Sequence, residues 1–221
     1  MLTLMALAAM AAQDNALTDA EKAAGFKLLF DGKTTEGWRT WKKDRLVGGW
    51  TVVDGVLTRS DKGGDILTVD KYENFEHKID WRIGPGGNSG IMYRVAETEG
   101  APYMTGPEYQ VLDNAKHPDG KNPKTSSGSF YAVYEPAKDV CKPAGEWNSS
   151  RIVANGRKIE HWLNGEKVVE CEIGSEDWLK RVAASKWKDA KKYGLETKGH
   201  IDLQDHGDKV EYKNIKIREI K

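Results

Sequence analysis

Four side chains in this sequence are of the type that moves protons near neutral pH: Glu108, Asp113, His117 and His206. Carboxylates and imidazoles serve as general acids and bases when a rigid frame holds them beside a reacting bond. Near them along the chain stand Asn88, Arg94, Gln110, Trp147, Asn148 and Gln204, which can hydrogen-bond to or stack on a bound molecule. Short polar side chains at strand ends are where binding groups usually sit, because a sheet fixes them and a loop exposes them. Tyr103 is a further stacking candidate. Other chemistries lack their signatures: there is no GxSxG, no Walker A loop, no GxGxxG opening a helix and no HExxH. Gly84-Pro-Gly-Gly87 is glycine-rich but opens no helix, so it reads as a turn. The two cysteines, Cys141 and Cys171, are too few for a cysteine-built metal cluster.

The elements that must position these groups read as strands. Apolar and polar residues alternate over Phe26–Phe30, Trp50–Thr58, Ile66–Val69, Phe75–Ile83, Gly90–Val95, Glu108–Leu112, Gly128–Tyr134, Trp147–Ala154, Lys158–Leu163, Lys167–Ile173, His200–Gln204 and Val210–Ile220. Asp54-Gly55, Asn155-Gly156 and Asn164-Gly165 are tight-turn signals. A long polar loop spans Asp113 to Ser127. One polar helix is expected over Ser175–Lys192; its lysines, Lys186 among them, read as a solvated face. A dozen short strands with these turns predict an all-β antiparallel sandwich or barrel. Because strand residues alternate between faces, Arg94 stands opposite Ile91, Tyr93 and Val95. Glu108 and Gln110 stand opposite Tyr109 and Val111, and Asp202 and Gln204 opposite Ile201 and Leu203. If the polar sides share one sheet, Arg94, Glu108, Gln110 and Gln204 line one surface.

Composition narrows the partners. The 221 residues carry 34 Lys+Arg against 34 Asp+Glu, and this zero balance argues against a nucleic-acid partner. Eight Trp and eight Tyr with 23 Gly suit a turn-rich β protein and a carbohydrate partner, whose sugar faces stack on aromatic rings. The apolar run Met1–Ala12 reads as a signal peptide over residues 1–13, implying a secreted or periplasmic protein, and no other segment approaches a transmembrane span. A helical lead-in over 14–25 and a single domain over 26–221 complete the expected organisation.

Six segments taken together resemble the 3-keto-disaccharide hydrolase family: FKLLFDGKTTEGW, WTVVDGVL, NSGIMYR, GPEYQVLDN, WNSSRIVANGRKIEHWLNG and GHIDLQDHGDKVEYKNIKIREI. The resemblance implies a concanavalin A-like jelly roll with a carbohydrate site on one face, and an enzyme acting on 3-keto-glycosides. No E-x-D-x-x-E cluster is present; Gln110 stands where a second acid would be, which disfavours double-carboxylate hydrolysis. A 3-keto sugar offers another route, in which a base removes the C2 proton, the C1 substituent is expelled and water adds. On this reading Glu108 or His206 is the base. Arg94 and Gln204 donate to the enolate or the hydroxyls, and His117 or Asp113 assists the leaving group. A divalent metal held by Glu108, Asp113 and a histidine is a further way to stabilise the enolate, although no ligand spacing demands one. The competing expectation is a noncatalytic carbohydrate-binding module on the same fold, which needs aromatic and hydrogen-bonding groups but no tuned carboxylate.

Overall fold

The computed structural model describes residues 13–221. Of the signal-peptide reading over residues 1–13, all but Gln13 lies outside the described residues. Two antiparallel sheets pack face to face. The larger sheet contains β1 (Lys27–Leu28), β3 (Trp50–Val53), β4 (Val56–Arg59), β6 (Phe75–Ile83), β9 (Asn148–Asn155), β10 (Lys158–Leu163), β11 (Glu166–Glu172) and β13 (Val210–Glu219). The smaller sheet contains β2 (Trp38–Thr40), β5 (Ile66–Thr68), β7 (Asn88–Val95), β8 (Glu108–Leu112) and β12 (His200–Leu203), in the order β2-β5-β12-β7-β8. Between the sheets lies one apolar core, in which Trp81, Ile79 and Tyr212 of the larger sheet meet Ile91, Tyr93, Tyr109 and Ile201 of the smaller. The all-β sandwich expected from strand spacing is what forms, and its two-sheet layout is that of a jelly roll.

Turn chemistry sets much of this. Asp54 and Gly55 both take positive φ, 50° and 78°, as do Asn164 and Gly165 at 50° and 87°. These are the conformations that close two-residue hairpins with the twist of the flanking strands. Of the expected helices, α1 (Asp19–Ala23) carries a complete capping box from Thr18 and Glu21. The second helix, α2 (Glu176–Ala183), is capped by Ser175 but stops well short of Lys192. Residues 184–193 turn back toward the smaller sheet.

Two strand expectations are corrected. Trp38–Thr40 forms an unforeseen edge strand, while Gly128–Tyr134 does not form a continuous strand. Its first residues pair with β8, through Gly128 N–H to the Gln110 carbonyl and Tyr131 N–H to the Glu108 carbonyl. Ala132 then turns at a φ of 62°, and Phe130 pairs back onto Tyr134.

Candidate active site

The face of the smaller sheet turned away from the core is built by register. Gly90 of β7 pairs with Gln110 of β8, Met92 with Glu108, and Asp202 of β12 with Met92. Directly paired residues project to the same side of a sheet, so Asp202, Met92 and Glu108 form one row. The Gln204 N–H donates to the Gly90 carbonyl, which sets Gln204 beside Gly90 in the next row. Over these rows opens a cavity of about 420 Å³, lined by Asn88, Tyr103, Glu108, Gln110, Tyr131, Lys186, Trp187, Gln204 and His206.

Glu108 is the chemical centre of the cavity. Its carboxyl lies over Gly90, where an added Cβ would overlap Oε1 and stand 2.9 Å from Cδ and Cγ. Only glycine leaves room for that carboxyl to reach across β7. The side chain is 3% exposed, and among the described residues its carboxyl accepts no hydrogen bond. Burial pushes its pKa up to about 8; the Lys186 cation opposes the rise, and Asp65 and Asp119 add to it. Asp65 is itself raised to about 6, chiefly by burial. Asp202 sits well above the ordinary carboxyl value, again by burial, with Asp65 and Glu108 adding. Asp202 is fully buried beside Leu67 and Met92, and neither of its oxygens has a partner.

The walls are aromatic and amide. Trp187 stacks on Tyr193 at 4.8 Å and meets the Tyr103 ring at 5.9 Å. The Trp187 indole N–H donates to the Tyr131 carbonyl, and the Tyr131 hydroxyl donates to Asp119. Buried oxygens of Asn88 and Gln204 face no donor, leaving acceptors open to hydroxyl groups. Gln110 is more committed: its amide donates to the Thr125 carbonyl and its oxygen accepts from the Val111 N–H. At the rim His206 is exposed, with Nε2 3.5 Å from the Asn88 amide and its ring edge-on to His117 at 6.5 Å. The His117 Nδ1 accepts from the Asp119 N–H, which fixes that ring.

Thus the structure brings together Glu108, Gln110, Gln204, Asn88 and His206, with His117 adjacent. It separates the rest. Arg94 falls at a bulge between β7 and β12, takes a φ of 52°, and leaves the face shared by Met92 and Glu108. Its guanidinium donates twice to the Glu73 carbonyl, at 2.8 and 3.0 Å. Strict alternation fails here because the bulge inserts one residue. The Asp113 carboxylate accepts from the Gly86 and Ala115 N–H groups and holds a loop beside a different cleft. Trp147 belongs to the other sheet's side of the molecule, flanked by the Arg82 and Lys213 cations at 4.8 and 4.6 Å. Asn148 binds the Lys142 N–H and the Asn164 amide. With Asp113 spent on backbone, the set Glu108, Asp113 and histidine does not assemble. Among the described residues no group of three His, Cys, Asp or Glu is arranged to hold a metal ion. Both Cys141 and Cys171 are free thiols.

Sequence reasoning missed Tyr131, Trp187, Lys186 and Asp202. For Asp202 the signal existed, since alternation put it on the same side as Gln204. The others are carried by turns, for which periodicity gives no direction.

A family model described as a 3-keto-alpha-glucoside-1,2-lyase-like domain matches residues 25–218. The chain belongs to that family. It is 34% identical over 228 residues to the 3-keto-disaccharide hydrolase of Bacteroides thetaiotaomicron, covering 89% of this chain and 79% of that one. A crystal structure from Parabacteroides distasonis, named as a candidate glycosyl hydrolase, matches with a TM-score of 0.89 and 42% identity, covering 95% of this chain and 100% of that one. A carbohydrate-binding module of Bacillus subtilis shares the fold alone, at 16% identity and a TM-score of 0.52, over 83% of this chain and 96% of the module.

Proposed function

We propose that this family member is a hydrolase that cleaves 3-keto-glycosides, with Glu108 as the general base. The observation that carries the reading is the Glu108 carboxyl: unpartnered, almost dry, raised to about 8, and set at the floor of a cavity with aromatic walls. A binding module has no use for such a group, because a buried carboxyl without partners costs stability and offers a neutral sugar nothing that an amide could not. Double-carboxylate hydrolysis is disfavoured because Asp202, the second acid in the same sheet row, is fully buried.

The chemistry follows from the ketone. The Glu108 carboxylate takes the C2 proton, and the freed electron pair forms the C2–C3 double bond as the carbonyl pair moves onto oxygen. When the carbonyl re-forms, a C1–C2 double bond is made and the C1–O bond breaks. The departing oxygen takes a proton from the rim, where His206 and His117 stand. Water then adds to the enone, its oxygen to C1 and a proton to C2, so the sum is hydrolysis. Tyr103, backed by Trp187, offers a ring face to the sugar, while Asn88 and Gln204 accept its hydroxyls. The apolar run over residues 1–12 supports an exported form, which N-terminal sequencing of the mature protein would reveal.

Product analysis with matched disaccharides, one plain and one oxidised at C3, tests the reading. Cleavage of the 3-keto sugar alone, with solvent deuterium entering at C2, is the expected result. Cleavage of the plain sugar would restore a two-carboxylate mechanism, and binding of both without cleavage would leave a carbohydrate-binding module.

A further inference from the structure

The loop after α2 places one cation in the cavity, and its setting is unlike that of a surface lysine. Lys186 is an exposed residue, yet its Nζ lies over the ring of Tyr131 at 4.1 Å and that of Trp187 at 4.6 Å. Both rings are immobilised. Tyr131 is tied to Asp119, and Trp187 is tied to the Tyr131 carbonyl and stacked on Tyr193, which stacks on Trp178 in turn. The ring faces attract the cation and replace part of its water. Burial at that end pulls the ammonium below the usual lysine range, opposed by Glu108 and Asp119. Among the described residues Nζ makes no hydrogen bond and no ion pair. Its three donors are therefore available to a ligand.

A base and a cation thus line one cavity, and neither neutralises the other by direct contact. Removal of a proton next to a ketone requires this pairing: a carboxylate for the proton, and a fixed positive charge for the oxygen on which the electron pair arrives. We propose that Lys186 is a catalytic residue of this site, its ammonium donating to the C3 oxygen as the enolate forms and easing the ionisation of Glu108. The inference rests on the 3-keto reading above. In the first step the C2 proton passes to Glu108 and the electron pair comes to rest on the C3 oxygen. Lys186 keeps its proton throughout, so no charge or atom is left unaccounted for. The groups that feel Glu108 are Lys186 from this loop, Asp65 ahead of β5, Asp202 on β12, Asp119 with Tyr131 across the cavity, Tyr193, and Tyr212 on β13. His206 and His117 stand at the rim. Lys186 is the only cation among those named.

Lys186→Met and Lys186→Arg separate charge from bulk. Carbon-13 labelling of glutamate, with the Glu108 signal assigned by its loss in Glu108→Gln, follows the Glu108 midpoint without any substrate. In Lys186→Met that midpoint should rise above its wild-type value, and kcat on a 3-keto-disaccharide should fall by about 100-fold or more, with KM within threefold. Lys186→Arg should hold the midpoint and recover most of kcat. An unmoved midpoint in Lys186→Met, or a kcat within threefold of wild type, overturns the proposal. Wild-type protein that cleaves no 3-keto-glycoside would defeat the reaction itself, and a midpoint shift would then show only that the cation tunes Glu108.

Discussion

At the scale of the residue, Glu108 decides both activity and part of the stability. Glu108→Gln keeps the shape of the side chain and removes the base, so turnover should fall by about 100- to 10,000-fold, the typical acid–base contribution, while the far-ultraviolet circular dichroism stays unchanged. The same carboxyl predicts a pH profile. With its value raised to about 8, kcat/KM should climb with pH and level off above that point, because only the ionised form accepts a proton. The stability effect runs in the opposite direction. An ordinary glutamate ionises near 4.5, so between 4.5 and about 8 the unfolded chain loses a proton that the folded chain keeps. The native state then binds more protons, and stability falls as pH rises through this window. Glu108→Gln should flatten that fall in thermal melts recorded from pH 5 to 8. Identical slopes in variant and wild type would mean that the carboxyl is better solvated than its burial indicates.

At the scale of the element, the site is a product of register. Glu108 reaches the cavity floor because β8 pairs with β7 so that a glycine lies under its carboxyl. Gly90 does not adopt a positive φ, so alanine fits the backbone there, and what must yield is the Glu108 side chain from Cγ outward. Gly90→Ala should therefore lower kcat by tenfold or more and leave the melting temperature within a few degrees. A melting temperature that fell as steeply as activity would show that the strand, and not the carboxyl, had moved. This register also explains what was legible in the sequence. Alternation in Glu108–Leu112 and His200–Gln204 was enough to put Glu108, Gln110 and Gln204 on one face, because those strands are regular. It misplaced Arg94, because one extra residue at the bulge reverses the alternation beyond it. Helical capping and polarity run on through 184–192, whereas the chain leaves the helix at Ala183, so Lys186 is exposed as expected but at the mouth of the cavity and not on a helix face. The signal for that break is the run Ala183-Ala-Ser-Lys-Trp187, where Ser185 accepts from the Trp187 N–H and starts a turn. Trp147 and Asn148 failed for a different reason: strand order across the two sheets is a long-range property that no local pattern carries.

At the scale of the whole molecule, the two sheets divide the work. The outer side of the larger sheet has its own cleft of about 490 Å³, but its charges satisfy one another: Glu21 pairs with Lys78 and Lys216, and Asn214 with Asp80. The smaller sheet instead leaves its polar groups open, and the sandwich core must supply the stability that those groups cost. The core carries one burden of its own. His77 lies on the inner face of β6 between Ile152 and Ile217, fully buried, with both ring nitrogens unpartnered. Burial lowers its pKa to about 3, so the ring stays neutral while the unfolded chain takes up a proton near 6.5. From pH 6.5 down toward 3 the unfolded state binds the extra proton, and stability drops by about 1.4 kcal/mol per pH unit for each such group. His161 titrates in the same sense, lowered by burial to about 4 against its hydrogen bonds to the segment around Gly128. His77→Leu replaces the unpartnered ring by an apolar side chain of similar size among isoleucines. It should raise the urea midpoint at pH 7, by about 1–3 kcal/mol in unfolding free energy, since the buried polar atoms no longer go unpaired. It should also remove one proton from the acid slope between pH 6.5 and 4, without changing kcat. Loss of stability at neutral pH would show that the ring holds a partner in solution, and that the core of this sandwich contains bound water where the strands now show only imidazole.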